Sequence, residues 1–218
     1  MSEGAASPRI GLQNEAVLAC VSFVAYLGAA WWAKQISLEG PALIWFPPAA
    51  VGVALAYFRP RLVGVVVLAE VVSTWLIMGL GHEYGPVGLV VNGCGLAAAY
   101  ALGAWLLRRL ALDARLRSAE DLAVLAIGVG ATAAAATVAG VSVQLWVGLA
   151  ERPHLARTAA IFWIGDVVGA ACLLPVLLIT GEAAMHGRRP RLSDEENHIG
   201  RYQLLAEPQV TEDPLKFR

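Results

Sequence analysis

Residues 158–180 read TAAIFWIGDVVGAACLLPVLLIT, and Asp166 is the only charged side chain among them. A helix that crosses the hydrocarbon core of a bilayer, ~30 Å thick, needs about 20 mostly apolar residues. Within lipid, such a segment is helical because its backbone N–H and C=O groups must be hydrogen-bonded inside the segment. The stretch therefore predicts a transmembrane helix.

Similar apolar runs fill most of the chain before residue 158. They cover residues 15–34, 42–58, 62–80, 87–107 and 121–149. Hydrophobic residues make up 58% of the chain and charged residues 15%, whereas about 25% of a soluble domain is charged. We therefore predict an all-α integral membrane protein with about six transmembrane helices in a bundle.

The fifth run is longer than a bilayer core requires. Ser118 followed by Asp121 predicts a helix N-cap with acidic residues in the first turn, which would open this span. The run is then expected to tilt, protrude or break, and Gly140 is the predicted weak point.

The basic residues are distributed unevenly between the two sides of the predicted bundle. Thirteen of the 16 lie in the two tails and in the second and fourth connections, and the others are Lys34, Arg152 and Arg157. The positive-inside rule places both termini in the cytoplasm, in agreement with an even number of spans. The expected divisions are an N-terminal tail (1–14), a membrane domain (15–180) and a C-terminal linker or tail (181–218).

Glu70 and Asp166 are carboxylic acids inside predicted spans. Each lies eight residues, or ~12 Å, into its helix, near the membrane midplane. An unpaired buried carboxylate costs several kcal/mol, so the acid must be protonated, face a water-filled or cation-filled cavity, or accept hydrogen bonds. Asn92 and Gln144 are amides at similar depth, for which interhelical hydrogen bonding is the expected role. We hypothesise that Glu70 or Asp166 titrates or binds a polar ligand, and the equally open alternative is that both are neutral acids that hold helices together.

Two prolines, Pro47 and Pro48, follow Trp45 near the start of the second span. They remove two amide donors and push the preceding residues towards extended geometry. We predict that this segment enters the bilayer in a non-helical conformation, lines a cavity and becomes helical at about Pro48. The alternative is an ordinary helix start with aromatic anchors at the interface.

The last span combines small residues with a proline. Gly165 and Gly169 flank Asp166 with small-xxx-small spacing, which allows close helix approach and shields the carboxyl from lipid. Together with Pro175 they make this span deformable. We predict that it relays a signal to the cytoplasmic tail.

Three segments resemble a known family. Residues 45–54, WFPPAAVGVA, resemble the W-x-P-P-A-G-hydrophobic signature of the MASE family, type one, which comprises bacterial membrane-associated sensor domains. Asn92-Gly93, with residues 105–109 (WLLRR), and residues 162–169 (FWIGDVVG), with a later Leu-Pro, are similar to two further family motifs. The match spans residues 44–180. It departs from the family at Ala50, where a glycine is usual, and in having fewer spans than full-length members.

The resemblance implies a sensory input module in the bacterial inner membrane, ahead of a cytoplasmic output such as a kinase or a cyclic-nucleotide enzyme. The expected partners are the lipid bilayer, that output, an unknown small ligand and, as one option, a second copy of the chain. The candidate ligand-binding residues are Trp45, Pro47, Pro48, Glu70, Asn92, Trp163 and Asp166.

Rival interpretations are a small multi-pass transporter and a structural or assembly subunit. We expect no enzyme, catalytic residue, cofactor or metal, because the spans carry no histidine, nucleophile–base set or metal-ligand spacing. A net charge of −1 gives no electrostatic case for nucleic-acid binding.

Overall fold

A computed structural model of the protein describes residues 12–36 and 46–186. The helices are α1 (Leu12–Ile36), α2 (Pro48–Phe58), α3 (Val63–Val72), α4 (Gly81–Arg109), α5 (Ala119–Trp146) and α6 (Leu155–His186). Short 3-10 turns occupy Pro60–Leu62 and Arg152–His154, and a π-helical turn occupies Ser73–Ile77. These two described ranges contain no strand, and the predicted all-α membrane bundle is confirmed.

Five helical segments are long and apolar enough to cross a membrane. They are Glu15–Ile36, Pro60–Ile77, Gly81–Arg109, Ala119–Trp146 and Arg152–Ala184. Their outer faces carry large apolar side chains that are exposed, among them Val138 at 68% and Leu76 at 65%. Such continuous apolar exposure fits a surface that faces lipid.

The second predicted span differs from the other five. Its helix, α2, has only 11 residues, or ~16 Å at ~1.5 Å per residue, about half of a bilayer core. It begins at Pro48, as predicted, because proline has no N–H to donate and suits the first helical turn. Residues 42–45 of this run lie outside the described residues.

Two contacts align α2 with α6. At the start of α2, the Phe46 N–H donates to the Gly165 carbonyl at 3.1 Å. At its end, the Phe58 ring lies against Gly181. The two helices therefore run in the same direction. The side on which the termini lie stays a prediction.

The predicted weak point of the fifth span is wrong. α5 continues without interruption through Gly140, because a break within lipid would leave backbone groups without hydrogen bonds. Gly140 serves packing instead: a Cβ there would lie 2.7 Å from the Cζ of Phe162 on α6. The helix starts at the predicted cap, where Ser118 and Asp121 form a capping box.

Two irregularities lie at one end of α3 and α4. The π-helical turn follows Glu70 closely, and the Met78 N–H donates to the Ser73 carbonyl at 2.8 Å. In α4, Gly85 has φ 60° and ψ 171°, a conformation that suits glycine, and Pro86 resumes the helix. The sequence pattern indicated neither feature.

Residues 12–36 and 46–182 belong to one compact unit, and a second unit begins at Ala183. The second unit is described only over the last turn of α6. Residues 1–11 and 187–218, which hold most of the predicted tails, lie outside the described residues. The predicted domain boundaries therefore stay predictions.

Candidate functional site

A cavity of about 420 Å³ lies inside the bundle. Its lining comes from α1, α3, the π-helical turn, α4, α5, α6, the segment just before α2 and the connections that follow the π-helical turn and α5. The lining residues are Lys34, Phe46, Glu70, Ser73, Thr74, Met78, Leu80, Tyr84, Asn92, Leu96, Gln144, Leu149, Phe162 and Asp166. The fold thus brings both predicted acids and both predicted amides to one cavity.

Glu70 is hydrogen-bonded within the bundle. Its side chain is 4% exposed, and its Oε2 accepts from the Tyr26 hydroxyl of α1 at 2.5 Å. Its Oε1 accepts from the Thr74 hydroxyl and from Asn92 Nδ2 of α4, both at 3.4 Å. The carboxyl therefore connects α1, α3 and α4, which fits the interpretation of this acid as an interhelical link.

Asp166 is in a different situation. It is 1% exposed, and neither carboxyl oxygen has a hydrogen-bond partner within residues 12–36 and 46–186. Burial of an unsatisfied polar group costs about 1–3 kcal/mol on protein mutational data. Glu70 and Asp166, which the sequence made equivalent, are thus one satisfied acid and one unsatisfied acid on the same cavity.

The start of α2 explains why Asp166 lacks a backbone donor. Gly169 permits close contact, because a Cβ at that position would collide with the Phe46 backbone. Pro47 and Pro48 have no N–H to donate. The N–H groups of the next two residues donate to the carbonyls of Phe46 and Pro47, at 3.2 and 3.0 Å. The chain thus approaches the Asp166 face of α6 without supplying a hydrogen bond to the carboxyl.

The site lies well inside α6, away from the first residue of the helix. Asp166 is 11 residues after Leu155, which corresponds to ~16 Å along the helix. The beginning of α2 is held at the same level by the hydrogen bond from Phe46 to Gly165. α2 is therefore a short helix that begins beside a buried acid, ~16 Å along α6 from Leu155.

The remaining predicted residues are distributed as follows. Pro47 and Pro48 are buried at the start of α2 and do not line the cavity. Trp163 is 42% exposed, and its indole N–H donates to the Gly130 carbonyl of α5 at 3.4 Å, outside the cavity lining. Pro175 is half-buried within α6. Trp45 lies outside the described residues.

The sequence reasoning missed several residues of the site. Tyr26 bonds to Glu70, while Lys34, Phe46, Tyr84 and Phe162 line the cavity. A tyrosine within the first apolar run was the only available signal for Tyr26, and nothing in the sequence paired it with Glu70. Lys34 belongs to the exposed end of α1, where its ammonium group donates to the Ile77 carbonyl.

The lining combines two kinds of surface. Acidic, amide and hydroxyl groups stand beside aromatic and aliphatic side chains. A volume of this size falls within the ~300–1,000 Å³ of small-molecule sites, which are mostly apolar with a few polar groups that orient the ligand. Within the described part of the chain, no group of three or more His, Cys, Asp or Glu side chains is placed to hold a metal ion.

Comparison with known protein families identifies this region of the chain. A family model, MASE1, matches residues 16–199, which include the whole cavity and all of α2 to α6. Neither a curated protein nor a solved structure matches the chain.

Proposed function

Since the chain belongs to the MASE1 family of membrane-associated sensory domains, we propose that its cavity takes up a small ligand and that α6 relays the binding event to a cytoplasmic output. The chain would thereby act as the membrane-embedded input module of a bacterial signalling protein. Its family supports a sensory role in a membrane, with a signalling partner in the cytoplasm.

The observation that carries this proposal is the unsatisfied carboxyl of Asp166. It lies on α6, the helix that leads into the C-terminal region, and faces the cavity. A ligand that supplies the missing hydrogen bonds would stabilise whichever arrangement of α6 presents the carboxyl to it. A ligand shifts a conformational equilibrium by its difference in affinity for the two states, and this carboxyl is a source of such a difference.

The contacts of α6 with α2 offer a route for the relay. Phe46, just before α2, contacts α6 at Gly165 and Gly169 near the cavity, and Phe58, at the end of α2, contacts α6 again at Gly181. A ligand between Phe46 and Asp166 would move the start of α2 against α6. Because α2 is one continuous helix of 11 residues, its far end would move as well.

Two further contacts involve the C-terminal ends of α2 and α6. Arg108 Nη1 donates to the carbonyls of Ala56 and Tyr57 at the end of α2, at 2.8 and 2.9 Å. Arg115, in the α4–α5 connection, lies 3.8 Å from the Glu182 carboxylate of α6. In the proposed orientation both contacts lie on the cytoplasmic side, where an output would read a displacement.

We further propose that both termini are cytoplasmic, that the membrane is the bacterial inner membrane, and that the output is a kinase or a cyclic-nucleotide enzyme. A homodimer would allow two α6 helices to present their ends together. The asymmetric distribution of basic residues supports this orientation.

The experiment joins a cytoplasmic cyclase or kinase domain after Arg218 and measures its output in bacterial membranes. We expect Asp166→Asn and Gly169→Ala to change the output level, and Glu151→Gln, which alters an exposed acid outside the cavity lining, to leave it unchanged. Equal output from all of these variants at equal expression would refute the proposal.

A transporter is the second candidate, and α2 is the observation in its favour. A helix that starts at mid-depth beside an ionisable group is a feature of secondary transporters. Solute flux through the purified protein in proteoliposomes, lost in Asp166→Asn, would favour transport over sensing.

A further inference from the structure

Two acids line the buried end of the cavity, and the carboxyl group of Asp166 has no hydrogen-bond donor there among the residues that the structure describes. This arrangement determines which ligands the cavity can hold. We propose that it binds a small organic monocation, a protonated amine, whose ammonium group is held by Asp166. This inference deepens the proposed sensory function and rests on it only for its biological meaning.

The charge of the cavity favours a cation. Two carboxyl groups line it. Glu70 already accepts from three donors, whereas both oxygens of Asp166 are without a partner in the described part of the chain. Lys34, the basic residue of the lining, donates to the Ile77 carbonyl and belongs to the exposed end of α1. An anionic ligand would meet two acids at the buried end, while a cation would meet its counter-charge.

The hydrogen-bond inventory of an ammonium group matches what Asp166 lacks. A primary ammonium has three N–H donors and no acceptor, and a carboxylate accepts only. The prolines at the start of α2 remove the backbone donors that a neighbouring helix start would otherwise offer. An amine thus supplies a charge-assisted hydrogen bond at a site where the protein has left an acceptor unused.

The remainder of the lining requires an organic ligand. Phe46, Phe162, Tyr84 and Leu96 contribute apolar and aromatic surface to the same cavity. An aromatic face attracts a cation within about 6 Å, and the aliphatic part of an amine would bury its carbon atoms here. A bare divalent ion such as Ca²⁺ needs about six to eight oxygen ligands, and the described residues contain no cluster of acids that would supply them.

The test uses the chain of residues 1–218 in detergent or nanodiscs and three probes of similar size. They are n-butylammonium, 1-butanol and butyrate, which differ in charge. Calorimetry and thermal unfolding measure binding to the wild type. We expect n-butylammonium to bind and to raise the melting temperature, and neither the alcohol nor the carboxylate to do so.

Variants locate the binding site. Asp166→Asn should weaken butylammonium binding roughly thirtyfold or more, since truncation of one partner of a buried charge pair has about this effect. Glu151→Gln removes an exposed acid that does not line the cavity, and its affinity should equal that of the wild type. Phe46→Leu provides a second site variant in case Asp166→Asn fails to fold, and it should weaken binding about twofold to thirtyfold.

Three results would overturn the inference: no binding of butylammonium, binding of 1-butanol with equal affinity, or wild-type affinity in a folded Asp166→Asn protein. The output fusion separates this inference from the proposed function. If amines bind without changing the output, the sensory proposal fails and the cation site stands. If the output depends on Asp166 but no amine binds, the cation site fails and the sensory proposal stands.

Discussion

Replacement of Asp166 and of Glu70 by leucine is expected to change stability in opposite directions. Asp166→Leu removes two buried oxygens that have no partner in the described structure, and the adjoining cavity of about 420 Å³ has room for the larger side chain. The variant should be more stable by about 1–3 kcal/mol, the usual cost of an unsatisfied buried polar group.

Glu70→Leu should be less stable by a similar amount. It leaves the hydroxyl of Tyr26, a residue that is 1% exposed, without its acceptor. Loss of the Tyr26 hydrogen bond should account for most of the decrease in stability, about 1–3 kcal/mol. The hydrogen bonds from Thr74 and Asn92, at 3.4 Å, are longer than the usual 2.7–3.2 Å range and contribute less.

The assay is reversible unfolding in mixed micelles of a mild detergent and sodium dodecyl sulfate, followed by circular dichroism. A double-mutant cycle with Tyr26→Phe isolates the hydrogen bond, because Glu70→Leu should cost less once the hydroxyl is absent. Destabilisation of Asp166→Leu to the same degree as Glu70→Leu would refute the distinction between the two acids. An additive cycle would refute the assignment of the loss to Tyr26.

The remaining predictions concern packing and helix ends, and the same unfolding assay measures them. Gly169→Ala should lower the free energy of unfolding by about 1–3 kcal/mol, because its methyl group would meet the Phe46 backbone. Gly130→Ala, where a Cβ meets nothing within 4 Å, should be neutral or slightly stabilising. Equal effects of the two substitutions would contradict the close contact at Gly169. Gly140→Ala should cost less than Gly169→Ala, because the methyl group meets only the tip of a phenyl ring, which can shift; a larger loss would indicate that this ring is held rigidly. Ser118→Ala should cost about 1 kcal/mol through loss of the capping box of α5; an unchanged midpoint would show that the cap contributes nothing.

Local sequence features predicted most of the secondary structure. A hydrophobic run of sufficient length is helical in lipid wherever it occurs, so five of the runs are full-length helices. Pro48 begins α2 and Ser118 caps α5 because each acts within its own helical turn. For Gly140, local reasoning failed: the surrounding apolar residues and the Phe162 contact keep α5 continuous, although a glycine weakens an isolated helix.

The candidate site was only partly accessible from the sequence. The acids and amides were visible because polar residues are rare in membrane spans. Trp163 matched a family motif, yet its side chain lies outside the cavity lining, because its helical position directs the indole towards α5. Conversely, Phe46 and Phe162 are ordinary apolar residues, and only packing against the glycines of α5 and α6 brings them to the cavity.

By itself, the sequence determined that this chain is a helical membrane protein with two costly acids at depth, since hydropathy and charge are properties of each segment alone. Only the tertiary structure decided that the acids differ. The principal donor to Glu70 is 44 residues away on α1 and another is 22 residues away on α4, whereas the segment that approaches Asp166 begins with two prolines that have no N–H to donate. Hydrogen bonds between helices depend on which faces meet, and a single segment carries no information about its neighbours.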